Sequence, residues 1–74
     1  MFNLSTDASG LFFDNVKIAL IDNEKNYAFI DSTLEEKTFN TACRIIKDYF
    51  INKGLKIGLF SIIAIPANHA DILR

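Results

Sequence analysis

A chain of 74 residues, half of them apolar and 23% charged, with a net charge of −1, is one small globular domain and is too rich in Ile, Leu and Phe to be disordered. Its single cysteine has no partner within the chain, and one Cys with one His falls short of the roughly four ligands of a structural zinc site. A near-neutral charge gains little from counterion release, so bulk electrostatics weigh against non-specific nucleic-acid binding.

The N-terminal stretch Met1–Asp7 lacks both the basic and the apolar region of a secretory leader. The longest apolar run, Ile57–Ala67, is shorter than the roughly 20 residues a bilayer helix needs. A cytoplasmic location is the default expectation. The cluster Thr6–Gly10 is turn-forming, so residues 1–10 are expected to be an arm or a short edge strand.

Leu11–Asp22 has the pattern of one strand, bent near Asp14-Asn15. Its alternation sends Val16, Ile18 and Leu20 one way and Lys17, Ala19 and Ile21 the other. The polar stretch Asp22–Asn26 is a turn, and Tyr27–Asp31 is a second strand, which together make a hairpin.

Ser32-Thr33-Leu34-Glu35 has the spacing of a capping box, and Glu35 and Glu36 suit the positive end of a helix dipole. The helix is expected to run to Lys53 and stop at Gly54, a residue suited to a left-handed cap. Phe39, Ala42, Cys43, Ile46 and Phe50 share one face, flanked by Tyr49. Lys37, Asn40, Arg44, Lys47 and Asp48 share the other.

Leu55–Ile65 follows as a third strand, apolar on both faces and ended by Pro66, which has no amide hydrogen. Asn68–Arg74 suits a short terminal turn. The fold class expected is α+β: a ββαβ domain with one long amphipathic helix on one face of a mostly antiparallel sheet of about three or four strands. The third strand is expected beside the first and antiparallel to it, with a parallel crossover to the second as the alternative.

The third strand is the most informative segment for function. One helix covers one face of a sheet, and an apolar strand left at an edge invites pairing with another chain. A core this small also gains from a partner. The residues expected to contact one are Leu59, Phe60, Ile62 and Ile63, with Ile51 on the helix beside them. The partner is expected to be a second copy or a larger protein, and no cofactor or metal is called for.

The alternative is nucleic acid held by the basic stripe Lys37, Arg44 and Lys47, with Tyr27 and Phe29 as a stacking platform. Binding of that kind is salt-sensitive and is lost on charge reversal at Arg44, whereas strand docking is neither.

Other chemistry finds little support. Cys43 has the surroundings of a small core hydrophobe rather than of a thiolate. His69 with Asp71 is a His-carboxylate pair with no nucleophile motif beside it. Asp14, Asp22, Asp31, Glu35 and Glu36 are scattered, and Asp22–Asn26 resembles half a calcium loop without its central Gly or terminal Glu. The expected role is therefore a non-enzymatic interaction module, such as a regulator, inhibitor or accessory subunit. Its Ile-, Asn- and Lys-rich composition suits an AT-rich genome such as that of a phage or a host-adapted bacterium.

Overall fold

The computed structural model describes residues 1–66, so the expected terminal turn, His69 and Asp71 lie outside the described residues. Its elements in chain order are β1 (Phe2–Leu4), β2 (Gly10–Phe13), β3 (Val16–Asp22), β4 (Tyr27–Asp31), α1 (Glu36–Asn52) and β5 (Ser61–Ile65). They form one five-stranded sheet in the order β1-β2-β3-β4-β5. The first three pairings are antiparallel, and β4 with β5 is parallel through α1. The class is the α+β domain expected and the sheet is mostly antiparallel as expected, with five strands rather than three or four.

The two strands beyond the expected ββαβ set come from the N-terminal third. The stretch 11–22 is not one bent strand but the hairpin β2–β3. Asp14 and Asn15 both have positive φ, 49° and 69°, as the central pair of a type I′ turn requires. Neither residue is Gly, so the turn has no glycine signal in the sequence. The arm at the N-terminus becomes β1, with Phe2 against Phe13 at 4.6 Å between ring centroids.

The loop back from β1 to β2 is ordered by Asp7. One carboxylate oxygen accepts from the Ser5 hydroxyl, the Ser9 hydroxyl and the Ser9 amide at 2.7, 2.7 and 3.1 Å. The Ser9 hydroxyl, followed by that of Ser5, holds the Asp7 carboxyl down at about 2. A depressed carboxyl stabilises the fold above its unfolded value near 3.8, and that contribution fades as the pH falls through about 2. We therefore expect the Asp7 carboxyl carbon, followed by NMR, to titrate near 2, well below its ordinary value of 3.8. Ser9→Ala should return it toward the ordinary carboxylate range. An unchanged midpoint in that variant would count against this hydrogen bond as the cause.

Within β3 the expected alternation fails at one point. Leu11 pairs with Ala19 and Phe12 with Lys17, so Ile18 has no partner on β2. Such a bulge lets two successive side chains turn to one face. Ile18 and Ala19 are accordingly both buried in the core with Ile21, whereas Leu20 is left on the opposite face.

The loop between β3 and β4 is the expected turn. The Asp22 carboxylate accepts from the amides of Glu24 and Lys25 at 3.0 and 2.9 Å, which accounts for its presence there. β4 has the bounds expected from the sequence.

The capping box does not form. Glu35 is the N-cap and makes no side-chain cap bond. The Ser32 hydroxyl instead donates to the Ile65 carbonyl at 2.7 Å, beside the Ser32 amide at 2.8 Å. A contact with a strand 33 positions away thus takes the hydroxyl that the local motif would use.

The other end follows expectation. Gly54 has φ of +104°, its amide donates to Ile51, and the Leu55 amide donates to Phe50. These are the paired bonds of a Schellman motif, which needs a left-handed residue at that position. Ala42, Ile46 and Phe50 of α1 are buried against Leu11, Ala19, Ile21, Ala28 and Ile30, with Phe39, Cys43 and Tyr49 at the margin. Lys37, Asn40, Arg44, Lys47 and Asp48 are exposed, as the helical spacing predicts.

The third strand expected over 55–65 is confined to Ser61–Ile65. Residues 55–60 are a loop, because Gly58 has φ of +99° and the Leu59 amide closes a turn onto Lys56. An extended chain cannot pass through that conformation. The strand lies parallel to β4 rather than antiparallel beside the first strand, so the alternative crossover topology is the correct one.

Candidate functional site

Among the described residues β5 is an edge strand, bonded to β4 alone. The Ser61 amide donates to the Asn26 carbonyl at 3.2 Å, and the Ile65 carbonyl accepts from the Ser32 amide at 2.8 Å. In a parallel ladder, alternate residues bond to the same neighbour. Ser61, Ile63 and Ile65 therefore direct their backbone groups inward to β4. The N–H and C=O of Ile62 and Ala64 are directed out of the sheet. Pro66, next in that series, has no N–H to offer.

Natural sheets protect such edges with charge, proline, bulges or extreme shortness. β5 reads Ser-Ile-Ile-Ala-Ile and carries no charge or proline along its length. The opposite edge is better guarded. β1 is only three residues long, and an exposed ion pair at 2.6 Å between the Met1 ammonium and Asp14 sits at its end.

The structure divides the expected contact residues into two sets. Phe60 and Ile62 pack against the core, and Phe60 stacks on Phe50 with centroids 4.9 Å apart and 20° between planes. Leu59 and Ile63 face solvent, at 62% and 39% exposure. Ile51 is exposed on α1, on the helix where the sequence places it. Ile57, which sequence reasoning took for part of a strand face, is the most exposed of the group at 74%.

The face of the sheet away from α1 carries a feature the sequence did not advertise. Register aligns Gly10 with Leu20, Leu20 with Phe29, and Phe29 with Ile63. Four adjacent strands thus share one uncharged row that ends at β5. Tyr27 and Phe29 lie on this same face, with rings 5.1 Å apart. Their neighbours Ala28 and Ile30 point the other way, into the core. Only pairing across strands reveals the row, because its members are far apart in the chain.

The basic stripe and the aromatic pair of the nucleic-acid alternative are therefore on opposite sides of the molecule. Lys37, Arg44 and Lys47 are on the solvent side of α1, and the sheet lies between them and Tyr27 and Phe29. A single strand could not track the charges and stack on the rings together.

Burial pushes the Cys43 thiol up, away from the thiolate that a nucleophile needs. Asp31 is engaged by Thr33, accepting from its amide and hydroxyl at 2.8 and 2.6 Å. Among the described residues there is no pocket and no cluster of three potential metal ligands, so the candidate site is a surface rather than a cleft. No described helix is long and apolar enough to cross a membrane. In comparisons with protein-family models, curated proteins and solved structures, nothing matches this chain.

Proposed function

We propose that this chain is a non-enzymatic interaction module of the regulator, inhibitor or accessory-subunit kind, whose binding element is the free edge of β5. The edge accepts an extended strand, and backbone pairing at Ile62 and Ala64 supplies the directional bonds. The exposed side chains of Leu59 and Ile63 supply apolar burial beside it. One observation carries the reading: among the described residues the sheet ends in a strand without charge, proline or bulge along Ser61–Ile65, with outward backbone groups at Ile62 and Ala64. The nucleic-acid alternative lacks such support, since its charges and its rings do not converge.

Amide hydrogen exchange of the dilute monomer tests this directly. The amides of Ile62 and Ala64 should exchange about two orders of magnitude faster than those of Ile63 and Ile65, which are held in the ladder. Equal protection of all four in the monomer would mean that the edge is covered within the chain, and the proposal would fall.

A further inference from the structure

We infer that the strand accepted by β5 is the β5 of a second copy, paired antiparallel about a two-fold axis through Ile63. This inference rests on the free edge proposed above and names its occupant.

The backbone pattern is self-complementary. In an antiparallel pair, hydrogen-bonded positions alternate with non-bonded ones. Placing Ile63 opposite its own copy makes it a non-bonded pair. Ile62 of each copy then falls opposite Ala64 of the other, as a hydrogen-bonded pair. The outward N–H and C=O groups of both residues are thereby all used. A register centred on Ala64 sets Ile62 against Pro66, which has no N–H, and one centred on Ile62 sets Ala64 against Phe60, outside the strand.

Charge favours a like partner. A two-fold axis sets each side chain against itself or a near neighbour, so any charge on the strand would be repelled by its duplicate. β5 carries none. The side chains agree as well. The axis stands perpendicular to the sheet, so both helices fall on one face and both rows Gly10–Leu20–Phe29–Ile63 on the other. Ile63 meets Ile63, and the two rows join into one apolar stripe across the assembly. Pairing β5 with the β1 edge instead would be head-to-tail and would build open filaments rather than a closed dimer.

Disulfide trapping tests the register. In a Cys43→Ala background, Ile63→Cys should cross-link to its copy under mild oxidation, because non-bonded pairs hold Cα atoms about 4.5 Å apart, within disulfide range. Ser61→Cys, also exposed but displaced from the axis by two residues along the strand, should lie roughly 13 Å from its own copy. We expect at least a tenfold higher yield of covalent dimer from Ile63→Cys. We also expect protection of the Ile62 and Ala64 amides to rise with protein concentration, in step with dimer mass by light scattering.

Equal yields from the two cysteines, or species that keep growing beyond the dimer, would overturn the inference. A monomer at all concentrations with fast Ile62 and Ala64 amides would overturn the second copy and leave the free edge standing. A monomer with those amides protected would overturn both.

Discussion

Replacing Phe50 by alanine is expected to remove most of the stability of this domain. Phe50 is fully buried and stacks on Phe60, and its carbonyl receives the Leu55 amide that closes the helix. It joins three things: the helix face, the Schellman cap and the loop leading into β5. Truncating a buried Phe costs about 3–5 kcal/mol, since the transfer energy is lost and the cavity relaxes only in part. Stability at roughly 0.05–0.15 kcal/mol per residue places a chain of this length at about 4–11 kcal/mol in total. The variant should therefore unfold at a much lower urea concentration than the wild type, and toward the lower end of that range it would be partly unfolded before denaturant is added. Its neighbour Ile51 is exposed, and Ile51→Ala should stay within about 0.5 kcal/mol of the wild type. Urea melts of the three proteins check both values. If Phe50→Ala shifted the midpoint no more than Ile51→Ala does, the core assignment would be wrong.

A pair of proline substitutions on β5 should behave in opposite ways. The Ile63 amide belongs to the ladder with β4, so Ile63→Pro leaves a carbonyl of β4 without its donor. An unsatisfied buried group of this kind costs about 1–3 kcal/mol, to which the strain of the ring is added. Ala64→Pro removes an amide that points out of the sheet and breaks no bond to β4. The residue before a proline is restricted to extended conformations, which Ile63 already has. The fold should thus tolerate Ala64→Pro with little change in melting.

Association is the converse test. Each net hydrogen bond is worth about 0.5–1.5 kcal/mol, and a two-fold interface loses the bond twice. Ala64→Pro should weaken the proposed dimerisation by about 1–3 kcal/mol, roughly fivefold to more than a hundredfold, since about 1.4 kcal/mol is a factor of ten. Sedimentation across a concentration series, with melting recorded on the same samples, reads both quantities. Equal destabilisation by the two prolines would show that the ladder is not arranged as the alternation requires.

These two experiments bear on different layers of information. The helix and its buried face were legible in the sequence, because an apolar stripe at helical spacing over 17 residues outweighs local ambiguity. The Gly54 stop and the bounds of β4 were legible for the same kind of reason. A left-handed cap and a run of alternating residues between turn signals are local features.

Other features depended on the rest of the fold. The capping box at Ser32 had the right spacing, yet its hydroxyl found the Ile65 carbonyl of a strand not adjacent in sequence. The turn at Asp14-Asn15 needed two residues in the left-handed region without a glycine to signal it. The bulge at Ile18 reversed the apparent alternation of β3, which is set by register with β2 and not by β3 itself.

The candidate site shows the same division. That β5 would be apolar and end at Pro66 was a property of its residues. The small number of strands put it at or near an edge, and the strand order that makes it the edge came from the assembled sheet. The parallel pairing to β4, the inward turn of Phe60 and Ile62, and the outward amides at Ile62 and Ala64 came only from the assembled sheet. So did the row through Gly10, Leu20, Phe29 and Ile63. Composition and periodicity determine which segments are helix or strand and which residues seek burial, because those preferences act over a few neighbouring positions. Tertiary structure decides which strands pair and which backbone groups remain free, because hydrogen bonds between strands join residues whose separation along the chain carries no local signature.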